Sequence, residues 1–437
     1  MSNSAEKQNS SGLKVLIAGA VLQLFLGIIY VWSVFVKPVS HYYGWFTVSG
    51  DWVADYSAVK LTASFMLCFF VIGILTGGKL QTKIGAKLTV LTGGLMVSAG
   101  MLATALIPQG KLSLEHMFSS SMSLEGPVRE AAAPVFLIYL FYGIIGGFGV
   151  GMAYNAIVSS AQKWFPKKRG MVTGVVVCSF GLSTVIFAPL VETLNRNFAV
   201  NTTFMILSGV FALATLSIFS FIKMPEQVSN ASAPVLKGKQ YSTFEMLKTP
   251  RYYLLTLSLM FGTSVFFIIN PSLKELAINR GIADFATYLV MFTGIANALG
   301  RLGAPMLSDK IGRESADIII LMITALGAFG LCFAEGALLI AVIALVAFCY
   351  GGYSGLYPVL TSENFGLKNV GSNYGAVMVG FMLSALLFPI VLNKIENQTV
   401  KFIILGALAV IGAFLVIVLK IINTRRGEQR SPDLKSD

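Results

Sequence analysis

Twelve runs of about twenty predominantly apolar residues dominate this sequence, and that is the length an α-helix needs to cross about 30 Å of hydrocarbon. They fall at 14–36, 57–78, 88–107, 135–156, 171–191, 201–222, 252–273, 284–307, 316–334, 337–358, 371–392 and 400–422. A backbone inside hydrocarbon has no water to bond, so such runs fold as spanning helices rather than as open sheet. An even number of crossings puts both termini on one side. The first run is longer than a signal-peptide core and lacks a small-residue cleavage pattern, which makes it a retained helix behind a short polar lead. Composition agrees: 55% of the 437 residues are apolar and 12% are charged, about half the ~25% charged share of a soluble domain. Two histidines and four cysteines without CxxC spacing give no basis for a disulfide framework, a zinc site or histidine catalysis, and no metal or cofactor is expected.

The net charge of +12 raises nucleic-acid binding as a question, and the location of the charges answers it. With the termini inside, the inside loops hold 22 Lys+Arg and 10 Asp+Glu, the outside loops hold 9 and 10, and Arg301 is left within a span; 12 − 1 + 1 recovers the whole charge. Lysine and arginine accumulate on cytoplasmic loops. The basic balance is therefore topology, and no nucleic-acid partner is expected. Both termini are placed in the cytoplasm and the protein in the cell membrane.

The chain also repeats itself. Gly78-Lys-Leu-Gln-Thr-Lys-Ile-Gly-Ala-Lys87 follows the second run, and Pro305-Met-Leu-Ser-Asp-Lys-Ile-Gly-Arg-Glu314 follows the eighth, with Leu and Lys-Ile-Gly in register. This predicts an all-α membrane protein with twelve transmembrane helices in two pseudo-symmetric six-helix bundles. The divisions are a lead at 1–13, a first bundle at 14–222 with an outside loop at 108–134, a linker at 223–251, a second bundle at 252–422 and a tail at 423–437. Parallel repeats of this kind are typical of carriers that bind substrate near the midplane and rock around it.

Arg301 is the one formally charged residue placed well inside a span, and an intramembrane cation is a functional hypothesis by default. A substrate carboxylate, gripped bidentately by the guanidinium, is its natural counter-ion. Asn297 lies one turn earlier on the same face and can share that anion. Tyr30, Trp32, Tyr154, Tyr350 and Tyr353 bring polar aromatic groups into the spans, where they suit a cavity wall. The spans offer no acid or histidine as a dedicated proton relay on this reading. The glycine run from Gly143 to Gly151 and the pair Gly351-Gly352 fit close helix packing, because no strand precedes them and no Lys-Ser/Thr follows.

At these residues the chain resembles the major facilitator superfamily, with Thr82 where its loop signature usually carries Asp and with the acid kept as Asp309 in the second copy. More narrowly, Tyr30-Val-Trp-Ser33, Lys163-Trp-Phe-Pro-Lys-Lys-Arg-Gly170, Ser308-Asp-Lys-Ile-Gly-Arg313 and Asn373-Tyr-Gly375 resemble the oxalate:formate antiporter family. The resemblance implies that Arg301 grips a carboxylate and that Tyr30 and Tyr154 touch the substrate. It implies gating by Asp309, Arg313 and Lys83 in the inside loops. It also marks a departure, since Phe381 stands where the oxalate carrier has a second cation; Ile29 and Phe180 likewise replace more polar residues. One cation facing phenylalanine suits a monocarboxylate, so pyruvate, lactate or formate is expected rather than oxalate.

The expected function is secondary transport of such an acid by a monomer, with a proton or a counter-anion as the coupled species. An oxalate/formate-type exchanger and an exporter of drug-like compounds are alternatives within the fold, and a non-transporting anion sensor is one outside it. An enzyme is not expected, because no cluster of acid, base and nucleophile is present.

Overall fold

The structure, a computed structural model, describes residues 2–43, 57–108, 134–225, 239–270, 280–392 and 394–430, with 273, 276 and 277 between. The loop expected at 108–134 lies almost wholly outside the described residues, as do most of the linker and the end of the tail.

Among the described residues nine helices are long and apolar enough to span a membrane, and they reconcile with twelve crossings. Ser57–Ala105 is two spans joined end to end, with a non-helical break at Gly85; its 49 residues would run about 74 Å as one rod, more than twice the hydrocarbon core. Ala286–Ile311 carries Arg301, Asp309 and Lys310, and Arg313–Gly330 carries Arg313, Glu314 and Asp317. These charges depress the hydropathy of two genuine spans. The helices are therefore numbered α1 (Ser11–Tyr42), α2 (57–84), α3 (86–105), α4 (Pro134–Trp164), α5 (Arg169–Asn197), α6 (Val200–Phe221), α7 (Pro250–Ile269), α8 (Ala286–Ile311), α9 (Arg313–Gly330), α10 (Gly336–Phe365), α11 (Val370–Leu392) and α12 (Gln398–Arg425).

The sequence repeat reappears in the backbone. Gly85 has φ 82° and Gly312 has φ 90°, at matching places in Lys-Ile-Gly. A left-handed φ is open to glycine at no steric cost, and each of these residues ends one helix and starts the next.

Large apolar side chains such as Leu213, Leu326, Phe333, Ile390 and Phe414 are exposed, while Gln23, Asn155, Gln162, Thr293, Arg301 and Asp317 are buried. A soluble protein would not leave so much apolar surface in water. In a bilayer that surface meets acyl chains, while inside Gln23, Asn155 and Thr293 donate to backbone carbonyls.

Two compact units are present: residues 1–16, 158–181 and 224–437 form one, and 17–157 with 182–223 form the other. In the first, the end of α4 and the start of α5 cluster with the second half of the chain. The linker is anchored there as well. Ser242 and Glu245 form a capping box on the short helix Thr243–Leu247, and the Ser242 N–H and hydroxyl hold the Glu245 carboxylate below its usual pKa range. Tyr241 then pins the segment: its carbonyl accepts from Asn369 and Asn373 Nδ2, at 2.9 and 3.1 Å. Its hydroxyl accepts from Arg251 Nη2 at 2.7 Å. The Asn373-Tyr-Gly motif thus has a structural task in holding the linker's end.

Candidate functional site

Arg301 is 1% exposed on α8. Its Nε donates to Asn297 Oδ1 at 2.8 Å, the one-turn pairing expected of residues four apart. The guanidinium carbon stands 5.7 Å from the centre of the Phe180 ring on α5, within the range of a cation–π contact. Asn297 therefore fixes the inner nitrogen, and the Phe180 ring lies against the planar group.

This arrangement depends on how closely α8 and α10 approach. A β-carbon at Gly351 would overlap the Asn297 carbonyl oxygen, and one at Gly300 would overlap the Phe348 carbonyl oxygen. The two helices touch backbone to backbone at the level of Arg301, as small residues allow between spanning helices. The Gly143 to Gly151 run behaves alike, with Gly147 against Met66 and Gly151 against Phe70.

Tyr350, immediately before that contact glycine, stacks on Phe266 at 3.8 Å between ring centroids. Phe381 lies 6.0 Å from Tyr350 and 5.0 Å from Phe267. Helices α7, α10 and α11 thus meet in one aromatic cluster that contains both Tyr350 and Phe381. Tyr353 turns elsewhere: its hydroxyl is 2.7 Å from Thr324 Oγ1 on α9, away from the cluster that its neighbour joins.

Tyr30, Trp32, Tyr154 and Lys83 belong to the other unit. Trp32 Nε1 donates to the Val59 carbonyl at 2.8 Å, and its ring packs 4.7 Å from Tyr142, so both its polar and apolar parts serve helix packing. Tyr154 is buried against Phe70 at 5.3 Å. Tyr30 sits half-buried on the 3-10 turn Gly27–Val31, where α1 breaks. Lys83 is exposed on the 57–84 helix.

The charged loop residues of the second half form a connected latch. Asp309 accepts from the N–H groups of Gly170 and Met171 at 3.2 and 2.9 Å, at the positive N-terminus of α5. Arg313 bonds Asp309, Glu363 Oε2 at 3.0 Å and Ser308 Oγ at 2.6 Å. In the first half, Thr82 replaces the acid and its hydroxyl donates to the Lys79 carbonyl at 2.7 Å.

One expectation is corrected here. The spans do contain an acid: Asp317 on α9 is 0% exposed, and its Oδ2 lies 3.0 Å from the Tyr357 hydroxyl. Its place four residues after Arg313, at the start of the ninth apolar run, puts it among the inside charges when only the sequence is read. The signal that could have found it is the run Ala316-Asp-Ile-Ile-Ile320, in which a carboxyl is flanked only by apolar residues.

A helical membrane fold with an internal repeat, a buried cation and a charge latch between repeats defines a multi-pass secondary transporter. The chain belongs to the Major Facilitator Superfamily, whose family profile it matches over residues 15–389. It is 28% identical over 379 residues to the uncharacterized MFS-type transporter YhjX of Escherichia coli, covering 85% of each chain. It is 25% identical to the oxalate:formate antiporter of Oxalobacter formigenes, covering 83% of this chain and 79% of that one. Monocarboxylate transporter 13 of Bos taurus is 24% identical, with 83% and 80% covered. Among solved structures, the proton:xylose symporter XylE matches with a TM-score of 0.67 at 16% identity, covering 93% of this chain and 95% of that one. The E. coli fucose:proton symporter FucP matches at 0.65 and 13%, covering 93% and 99%. These structures establish the fold, twelve helices in two six-helix bundles, and membership of the family makes the chain a transporter rather than an enzyme.

Proposed function

We propose that this transporter carries a small monocarboxylate, of the size of pyruvate, lactate or formate, across the cell membrane by alternating access. The observation that carries the reading is Arg301. A guanidinium buried in a spanning helix marks a functional site by default, and this one is braced by Asn297 and Phe180. In this mechanism Arg301 takes the carboxylate through its planar fork, and Asn297 fixes the fork's rotation. The Tyr350–Phe381 cluster walls the apolar end of the acid, and the match of Tyr30 and Tyr154 to the family's motif supports them as further substrate contacts. Trp32 and Tyr353 each tie their own helix to a neighbour, through Val59 and Thr324. The kinship with an oxalate:formate antiporter and with a monocarboxylate transporter supports a small organic acid. Phe381, in an aromatic setting, supports the monoanion over the dianion.

On this reading the first bundle spans 14–222, the second 252–422, and the lead, linker and tail are cytoplasmic. Asp309 and Arg313 latch the cytoplasmic side, with Lys83 on the matching loop of the first half. The carrier works as a monomer, and a proton or a counter-anion is the coupled species.

The test is uptake of labelled pyruvate, lactate, formate and oxalate by purified protein in liposomes, for wild type and Arg301→Lys. Saturable uptake of a monocarboxylate, cut at least about tenfold by the loss of bidentate geometry, is expected. Uptake of oxalate alone would favour the dianion exchanger. Uptake indifferent to the substitution would remove Arg301 from the binding site.

A further inference from the structure

The groups around Asp317 can be counted proton by proton. Ser258 Oγ lies 2.9 Å from the Leu255 carbonyl oxygen and 2.8 Å from the Tyr357 hydroxyl. The Tyr357 hydroxyl lies 3.0 Å from Asp317 Oδ2. Three oxygen–oxygen contacts therefore run in series from the Leu255 carbonyl to the carboxyl. Each hydroxyl brings one proton. With Asp317 ionised there are two protons for three contacts, and one pair of oxygens meets bare.

A proton on Asp317 completes the series. The acid donates to Tyr357, Tyr357 donates to Ser258, and Ser258 donates to Leu255. Tyr353 cannot supply the missing proton, because Thr324 already donates to the Ile320 carbonyl at 2.9 Å and must accept from Tyr353.

The charges nearby do not compensate an anion either. On its own helix, Arg313 is engaged by Asp309, Glu363 and Ser308, and Glu314, of the same sign as Asp317, accepts from Asn423 Nδ2 of α12 at 2.9 Å. Lys420 of α12 bonds Ser315 at 2.9 Å. Helix α10 presents Tyr353 and Tyr357, α7 presents Ser258, and α8 presents Asp309, which is bound to Arg313. Asp317 Oδ1 is buried with no hydrogen-bond partner among the described residues. A buried carboxylate without a cation carries a heavy desolvation cost.

We propose that Asp317 is a proton-binding site of the carrier, neutral in the arrangement described and charged only when the helices around it part and admit water. The proton is taken from water and returned to water, so that binding converts carboxylate and proton to carboxylic acid and release reverses this. Tyr357, Tyr353 and Tyr350 follow one another along α10, so the site is joined by one helix to the aromatic cluster proposed to wall the substrate. Its occupancy can thus follow the movement that exposes the substrate, which would make the coupled species a proton.

The experiment uses full-length protein and two readouts. Infrared absorption at neutral pH is expected to show the carbonyl stretch of a protonated carboxyl, absent in Asp317→Asn and shifted but retained in Tyr357→Phe. Asparagine is close in shape to the neutral acid, so the variant should fold, and unchanged thermal unfolding checks this. No band sensitive to Asp317→Asn would overturn the site. The second readout, which rests on the monocarboxylate reading, is pyruvate uptake into liposomes with and without an acid-outside gradient, corrected for protein-free vesicles. The gradient should raise uptake by the wild type, and the ratio should fall to about one in Asp317→Asn. An undiminished ratio would overturn the coupling role. Absence of pyruvate uptake by the wild type would count against the substrate reading, and the infrared band would then decide the proton site by itself.

Discussion

Asp309 accepts the Met171 N–H at 2.9 Å, so that a carboxylate from the second half of the chain caps a helix of the first. The bond has electrostatic direction, because the start of α5 carries the positive end of its dipole. Arg313 holds the same carboxylate from its other side. On the proposed gating role, opening this side of the carrier breaks these contacts.

Asp309→Ala should therefore favour the opened state. Loss of a capping carboxylate costs about 1–2 kcal/mol, which multiplies a minor opened population about 5–30-fold. Cys178 is a native reporter, buried on α5. In a variant retaining only that cysteine, alkylation by a water-soluble thiol reagent should accelerate by about that factor. An unchanged rate would show that the latch does not limit opening.

Asn297→Ala should weaken binding without reshaping the helix. Its Oδ1 accepts from Arg301 Nε at 2.8 Å, and a hydrogen bond to a charged group is worth about 1.5–3 kcal/mol. The apparent affinity for pyruvate should fall roughly 10- to 150-fold, while Asn297→Asp, which keeps the acceptor but adds an anion beside Arg301, should compete with the carboxylate and bind worse still. Competition for labelled pyruvate in counterflow measures both.

Phe381→Lys tests the choice between one and two negative charges. The ring is buried, 5.0 Å from Phe267 and 6.0 Å from Tyr350, so a lysine there sits among aromatic rings and takes a ligand as its anion. An unpaired buried ammonium is costly, and the variant should melt lower than the wild type. Added oxalate should recover part of that loss through linkage, and the ratio of oxalate to pyruvate uptake should rise.

The fold was legible because lipid imposes one strong rule, a run of about twenty apolar residues for each crossing, and because Lys-Ile-Gly exposes the duplication. Gly85 and Gly312 then share a positive φ. The site was legible only in part. Arg301 stands out because a single cation in a span is rare, and Asn297 follows from helical spacing. The directions of the tyrosines were not readable, since Tyr350 and Tyr353 are three residues apart and periodicity puts them on one face. Their rings nevertheless diverge, one to Phe266 and the other to Thr324. Asp317 was missed because position near a basic loop resembles exposure, whereas burial is decided by α7, α10 and α12 packing over it. Tyr241 bonding to Asn369 and Asn373 was equally invisible, for it joins residues about 130 positions apart.

Glycine spacing gives the last prediction, because two glycines in spanning helices should respond oppositely to the same change. At Gly351 an added β-carbon would overlap the Asn297 carbonyl oxygen, and that atom belongs to rigid helical backbone. Gly351→Ala must push α10 from α8, which disturbs the Asn297–Arg301 pair even where the protein still inserts. At Gly209 on α6 a β-carbon meets nothing within 4 Å, and alanine there only removes backbone freedom from the unfolded chain, worth about 0.4–1 kcal/mol. Gly209→Ala should raise the unfolding midpoint slightly and leave pyruvate affinity alone, whereas Gly351→Ala should lower both. Thermal unfolding in detergent, paired with counterflow, separates them. A Gly351→Ala protein with wild-type affinity would mean that the close approach of α8 and α10 does not position the arginine.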